Sequence, residues 1–569
     1  MLAVRPKQLL SMQTRDGVRL DSDVYYPDAP GSFPVLLMRQ PYGRTIASTV
    51  VYAHPAWYAA HGYIVVIQDV RGRGTSAGEF SLFTHEIADG FDAVQWAANL
   101  PSSTGDVGMY GFSYQGMTQL YAAIAQPAAL KAICPAMLGY DLYTDWAYEG
   151  GAFCLQANLG WAIQLAAETA RLKGDATAHH MLSTAAKKLP LCDPVPTRSG
   201  LLKSLDPDSF YHAWLDHWQP GAYWDKLSPK TYFQELEVGS QESGIGTREA
   251  TQSLLALPML HIGGWFDPYL RGTLHLYQDQ VARSQALQQL IVGPWAHLPW
   301  GRKVGEIDYG TAAISPCDRA QIRWFDHFLK GLDTGLHHEP LVRLFEMGTN
   351  QWRNFDQFPD PKPTPYFLTS TGLASLDETD GRLSSQPLAT SPLHRFTPPD
   401  HIVHDPWRPV PALGGHATIP AGAFDRASLD CRTDIATYTS APLTADLHLA
   451  GKVKAEIFCA ADTPSFDLCA VLSEVKPNGS VFNFTQGYMR VNPGQFTAPL
   501  SIQLQPTCIC LPQGSALRLS LSAACFPAYP VNEGKGTPSG ETHLMDLQII
   551  TVTIATGETT ASHVLLPLV

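Results

Sequence analysis

The chain has 569 residues, 45% hydrophobic and 16% charged, with 39 Lys plus Arg against 52 Asp plus Glu and a formal net charge of -13. That balance excludes a nucleic-acid backbone or an anionic membrane as the main partner, because both demand a basic face. No apolar run approaches the roughly 18 residues of a membrane-spanning helix, and the length allows about three or four domains. Arg15, Asp16 and Arg19 interrupt the start too early for a signal-peptide core. The 10 cysteines are too sparse for a disulfide scaffold and form no CxxC pair. Cys508 and Cys510 would share one face of a strand. Buried free thiols in a reducing compartment are expected, with cytoplasm as the default location.

From Pro34 to Pro135 short apolar runs alternate with helical patterns. Val35–Met38 and Ile64–Ile67 read as buried parallel strands. Phe91 to Leu100 has helical spacing, with Phe91, Val94 and Ala98 on one face. Val107–Tyr110 reads as a strand and Met117 to Ala125 as a helix, and such alternation marks an α/β sheet. From about Leu138 to Leu236 the sequence is Trp-, Ala- and His-rich and helical. Strand signals return at Leu257–Ile262 and Leu290–Val292, so a helical insertion over the sheet is the simplest account. Beyond about Phe345, alternating runs such as Val453–Cys459, Leu517–Leu521 and Leu547–Val552 predict an antiparallel β-sandwich. Pro359–Pro365 reads as a linker or loop. The expected division is an α/β-hydrolase domain from 1–137 and 241–344, a helical cap at 138–240, and an all-β jelly roll at 345–569.

The segment Gly111-Phe112-Ser113-Tyr114-Gln115-Gly116 follows a strand and precedes a helix, the context in which a sharp turn lifts a serine hydroxyl above a sheet edge. Its second glycine comes one residue later than in G-x-S-x-G. A serine nucleophile needs a base, and the base an orienting acid. Asp267 and His297 each follow a later strand, in the order Ser, Asp, His. Against this stand plainer readings: an Asp before Pro is commonly a turn former, and one histidine among 20 is commonly structural. The third need is an oxyanion hole. The Tyr114 N–H is one candidate donor and the Tyr42 hydroxyl the other, although a packed turn aromatic reads equally well for Tyr42.

Arg39-Gln40-Pro41-Tyr42-Gly43, Gln68-Asp69-Val70-Arg71-Gly72-Arg73-Gly74-Thr75-Ser76, the Ser113 segment, Gly264-Trp265-Phe266-Asp267 and Gly293-Pro294-Trp295-Ala296-His297 together resemble the bacterial cocaine esterase family. That family is related to α-amino-acid ester hydrolases, glutaryl cephalosporin acylases and X-prolyl dipeptidyl-peptidases. The resemblance extends through Arg323–Gly331 and Tyr438–Leu443, nearly the whole chain in order. It implies Ser113 as nucleophile, His297 as base, Asp267 as orienting acid and Tyr42 as oxyanion donor. Relatives that take α-amino acyl groups hold the ammonium with carboxylates. Their positions fall at Trp146, Tyr269 and Leu270 here, none acidic, although Asp145 and Glu149 lie nearby. Trp146, Trp161 and Tyr269 would instead line an aromatic pocket suited to an apolar or aryl acyl group, cap-core packing being the plainer alternative.

The expected activity is cleavage of a small-molecule carboxylic ester through an acyl-enzyme, with no metal or organic cofactor. An acylase or X-prolyl-type dipeptidyl-peptidase acting on amides is the nearest alternative. A carbohydrate-binding protein with a vestigial triad is the alternative of another class. Self-association is open, since no pattern identifies an interface. The loop from Gly72 to Gly78 has the wrong spacing for a dinucleotide site, so its arginines are expected to pair with Asp69. His179-His180 and His337-His338-Glu339 lack metal-site spacing and are expected to be unligated.

Overall fold

The computed structural model describes residues 1–46, 48–193, 195–234, 256–386, 398–494, 499–538, 540–557 and 560–569. Ten strands form the N-terminal sheet: β1 Gln8–Gln13, β2 Arg19–Tyr25, β3 Phe33–Gln40, β4 Ile64–Asp69, β5 Ser103–Phe112, β6 Leu130–Ala136, β7 Met259–Phe266, β8 Gln288–Ala296, β9 Val342–Glu346 and β10 Gln351–Phe355. Their order is β1-β2-β4-β3-β5-β6-β7-β8-β9-β10. The run from β4 to β9 is parallel, and the pairs at both edges are antiparallel. The carboxyl ends of seven parallel strands therefore share one edge, where an open α/β sheet leaves room for a site.

Although β3, β4 and β5 are apolar throughout, the period of two still sorts their side chains. Val35, Leu37, Ile64, Val66, Val107 and Met109 pack with the helices Glu86–Ala98 and Tyr114–Ile124. Leu36, Met38, Val65, Ile67 and Tyr110 pack on the other face with Pro55–Ala60 and Cys317–Lys330. Continuous apolar runs are what a strand covered on both faces requires. In Glu86–Ala98 the buried face is Ala93, Val94 and Ala97, one residue round from the face expected. Phe91 instead lies half-buried, with the Arg15 guanidinium 5.1 Å from its ring centre.

Between β6 and β7 come Leu155–Leu172, Ala176–Lys187, Gly200–Leu205 and Phe210–Asp216, all helical. Asp175 and Ser199 cap two of them, accepting from the N–H groups of Ala178 and Leu202. The expected boundary at 240/241 lies outside the described residues. The antiparallel hairpin β9–β10 still belongs to the N-terminal sheet. The first strand of the second large sheet, Thr364–Thr369, follows that hairpin.

The C-terminal domain is mostly β. Its long strand Leu447–Ala461 pairs with Leu500–Leu511, Ile550–Ala555 and His563–Leu566. A second set joins Ile435–Ser440, Ala516–Ser522, Phe466–Val475 and Val481–Val491. Leu449, Val453, Ala455 and Ile457 share one core with Leu517, Leu519 and Leu521, and that core continues into Trp265, Leu290, Val292, Val342 and Leu344 of the first domain. The two domains are therefore joined by apolar burial as well as by polar contacts.

Arg71 and Arg73 do not pair with Asp69. Asp69 is fully buried and takes the Arg44 guanidinium and the N–H groups of Arg44 and Thr75, while Arg71 bridges Asp16 and Asp89. Gly74 decides this: with φ +57, a β-carbon there would meet the Asp69 carboxylate, so the loop backbone itself lies against that group. Arg73 turns away under the cap, stacked over Phe80 and donating to the Leu165 carbonyl.

A buried ionic cluster ties three regions together. Glu149 accepts from Arg271, on the helix Leu270–Arg283, and from the Tyr529 hydroxyl, and its Oε2 lies 2.9 Å from His416 Nε2. Nearby attraction from Arg271 and His416 outweighs desolvation and holds the Glu149 carboxyl down at about 2. A folded-state value depressed below the unfolded one adds stability that is complete above about pH 4.5 and is lost as the pH falls toward 2. Glu149→Gln should remove that acid-sensitive increment, on the order of 3 kcal/mol. Denaturant midpoints between pH 5 and pH 2.5 should fall steeply for the parent chain and less steeply for the variant.

Candidate active site

The turn after β5 carries Ser113 at φ +59 and ψ -126, a backbone conformation that costs a non-glycine residue about 1–3 kcal/mol. Neighbouring groups hold it there. The Ser113 N–H donates to the carbonyls of Ala136 (2.9 Å) and Met137 (3.1 Å), at the end of the adjacent strand β6, and the Met117 N–H closes the first helical turn onto the Ser113 carbonyl. The helix starts at Tyr114, three residues before the apolar pattern predicts, because the turn itself supplies its cap.

The late glycine has a packing reason. A β-carbon on Gly116 would sit 2.9 Å from the Ala136 carbonyl oxygen and from Leu138. Gln115, in the place where a glycine was looked for, is buried and bonded. Its side chain accepts from the Phe112 N–H and donates to Gln40 Oε1 and to Ser48.

Asp267 lies one residue past β7 and His297 one residue past β8, and the register places Gly264 opposite Gly293. The Asp267 carboxylate is fully buried, and its Oδ1 lies 2.7 Å from His297 Nδ1. Desolvation raises the Asp267 carboxyl above its ordinary value, and the hydrogen bond and charge of His297 oppose that shift. His297 keeps 27% of its side chain accessible, so one member of the pair reaches solvent. The loop is fixed from the other domain: Gln505 Nε2 donates to the carbonyls of Trp265 (2.8 Å) and Asp267 (3.1 Å).

Tyr42 follows β3 on the same sheet edge. Its hydroxyl accepts from Trp161 Nε1 at 3.2 Å. Burial pushes the phenol up to about 12, while hydrogen bonds with Trp161 and Ser113 work against that rise. A phenol so perturbed stays protonated and able to donate at neutral pH. Tyr114, as the first helical residue, has an N–H with no acceptor inside its helix. Its side chain points away: the hydroxyl donates to Glu86, which pairs with the fully buried Arg39, and Phe83 stacks on its ring.

The three aromatics named from the sequence form one arc. Tyr269 packs edge-on against the His297 ring at 5.0 Å, Trp146 lies 4.2 Å from Tyr269, and Trp161 lies 5.2 Å from Trp146. Trp161 closes the arc onto Tyr42. Trp146 and Tyr269 are almost fully covered, whereas Trp161 is half-buried. Asp145 and Glu149 take no place in the arc. Asp145 binds the N–H groups of Tyr140 and Asp141 and His275 Nδ1, and Glu149 belongs to the inter-domain cluster. Sequence reasoning missed Gln505, Glu86 and Phe83. Gln505 lies 238 residues from Asp267 and carries no local signal, while Glu86 and Phe83 sit just ahead of a recognised helix and could have been suspected.

Comparison with known proteins places these features in a family. The model of the X-Pro dipeptidyl-peptidase (S15 family) matches residues 16–299, and that of the X-Pro dipeptidyl-peptidase C-terminal non-catalytic domain matches 334–565. The chain is 30% identical to a cocaine esterase of Rhodococcus sp. (strain MB1 Bresler), over 98% of this chain and 97% of that one. Among solved structures, an aminopeptidase from a marine sediment Thaumarchaeota archaeon superposes with a TM-score of 0.77 at 22% identity, covering 99% of this chain and 96% of its own. An α-amino acid ester hydrolase superposes at 0.75 and 20% identity, covering 100% and 97%. At those identities the structural matches speak for the fold. The chain belongs to the family of α/β-hydrolases that comprises cocaine esterases, α-amino-acid ester hydrolases and the S15 X-Pro dipeptidyl-peptidases.

Proposed function

We propose that the protein is a serine carboxylic ester hydrolase working through an acyl-enzyme, with Ser113, His297 and Asp267 as its triad. The observation that carries this reading is the 2.7 Å contact between His297 Nδ1 and buried Asp267, on the sheet edge where Ser113 is held in its strained turn. Ser113 Oγ attacks the substrate carbonyl as His297 Nε2 takes its proton. Asp267, accepting at Nδ1, keeps the imidazole in the tautomer that leaves Nε2 free and stabilises the imidazolium. The Tyr42 hydroxyl and the Tyr114 N–H donate to the developing oxyanion. His297 protonates the leaving alcohol, and water then repeats the sequence to release the acid. Ten free cysteines suit a reducing compartment, in keeping with a cytoplasmic location.

The arc Tyr269–Trp146–Trp161 suits an apolar or aryl acyl group, and the Rhodococcus relative is named for esterase activity. The family models are named for X-Pro dipeptidyl-peptidases, which favours amide cleavage as a second reading. Such substrates bring an ammonium group that needs a free carboxylate. Asp145 and Glu149 are already engaged, which supports esters over aminoacyl amides. Turnover of p-nitrophenyl esters against alanyl-prolyl p-nitroanilide separates the two.

A fluorophosphonate probe followed by peptide mapping should give a single adduct on Ser113. Ser113→Ala should abolish the adduct and lower kcat by about a millionfold. No adduct on the folded protein, or one on another serine, would sink the triad and favour a carbohydrate-binding role with retained glycan and no turnover. Tyr42→Phe should lower kcat by about 10²–10³ with little change in KM for p-nitrophenyl butyrate. Trp161→Ala should cut the benzoate-to-acetate ratio of kcat/KM about three- to tenfold, the worth of one aromatic contact. Taking that ratio cancels any effect of Trp161 on Tyr42, and an unchanged ratio would remove Trp161 from the acyl pocket.

A further inference from the structure

Where the two domains meet beside the end of β9, three side chains of different chemistry converge. Asp446 and His448 lie two residues apart at the start of the strand Leu447–Ala461, and His448 is the register partner of Cys510 on Leu500–Leu511. A carboxylate oxygen of Asp446, a ring nitrogen of His448 and Cys510 Sγ all lie within 4.8 Å of one another, and no other such set of three or more occurs among the described residues. Cys510 Sγ is 3.8 Å from His448 Nε2. A tetrahedral zinc ion with ordinary Zn–S and Zn–N bonds would hold these two atoms about 3.6 Å apart.

A separate observation concerns the other face of the imidazole. His448 Nδ1 lies 2.9 Å from Oε1 of Glu346, at the end of β9. Glu346 is buried and also accepts from Arg353 and Thr349. A carboxylate that also accepts from Arg353 and Thr349 takes the Nδ1 proton as its third donor, so Nε2 presents its lone pair toward Cys510 and Asp446. A carboxylate behind the histidine is the arrangement that orients metal-bound imidazoles. The site sits on a seam of close backbone contact, where the Met347 N–H donates to the Cys508 carbonyl and the Cys510 N–H to that of Met347.

We propose that Asp446, His448 and Cys510 form a zinc site on the C-terminal domain, its imidazole braced by Glu346 at the end of the neighbouring catalytic-sheet strand. Thiolate, imidazole and carboxylate together select zinc over magnesium or calcium, and the half-exposed position leaves the fourth ligand to water. On binding, the Cys510 thiol passes its proton to the buffer, its sulfur lone pair bonds the metal, and aqua ligands of the ion leave. The sequence gives no sign of the site because its ligands come from two strands more than 60 residues apart in the chain.

The test uses the full chain stripped of metal with a chelator and titrated with zinc, then with cobalt as a spectroscopic probe. One equivalent should bind with release of a proton. Cobalt should give intense tetrahedral ligand-field bands with a thiolate-to-cobalt charge-transfer band, and zinc but not calcium should raise the unfolding temperature. Cys510→Ser should lose the charge-transfer band and weaken zinc more than about a hundredfold. Asp446→Asn, at an exposed position that does not threaten folding, should keep the charge-transfer band and weaken zinc at least tenfold. Absence of saturable zinc binding by the parent chain, or unchanged affinity and spectrum in Cys510→Ser, would overturn the proposal.

Discussion

The left-handed backbone at Ser113 is the constraint on which the candidate site depends, and it is maintained from next door. The Ser113 N–H reaches two carbonyls at the end of β6, so the turn is locked to the neighbouring strand. That lock requires helix and strand to approach closely, which is why Gly116 stands where any β-carbon would strike the Ala136 carbonyl. The same parallel register carries Asp267 and His297 to the same edge from β7 and β8. Strand order does most of the positioning, and the side chains need only short reaches.

Several buried charges of the N-terminal domain are compensated by ion pairs. Arg39 is fully covered and offset by Glu86, which also receives the Tyr114 hydroxyl beneath the Ser113 turn. Such pairs add little net stability, but removing one partner strands the other, which makes their geometry hard to change. The Glu149 cluster repeats this logic at larger scale, linking the insertion, the helix after Asp267 and the C-terminal domain. Its carboxylate is thereby fully engaged within the protein.

The C-terminal domain is part of the site's architecture. Gln505 holds the carbonyls of Trp265 and Asp267, and the second core runs without a break from the β-domain strands into β7, β8 and β9. The candidate acid is thus backed on one side by its own sheet and on the other by a residue more than 200 positions away.

Much was legible in the sequence for a physical reason. Strands covered on both faces read as continuous apolar runs, helices as 3.6-residue patterns, and turns under steric demand as glycines, all local signals. Ser113, Asp267 and His297 could be named because each follows such a run, and Tyr42, Trp146, Trp161 and Tyr269 because the motifs around them resemble a family. Charge partners were less legible: the partner of Asp69 turned out to be Arg44, because Gly74 brings backbone against that carboxylate. Contacts between distant segments left no local trace: Gln505 on the Asp267 loop, Glu149 between Arg271 and His416, and His448 between Glu346 and Cys510. Local sequence determined which elements form and which residues could do chemistry. Tertiary structure alone decided which charges are neutralised and which donors meet, because those choices depend on strand register and domain packing rather than on neighbours along the chain.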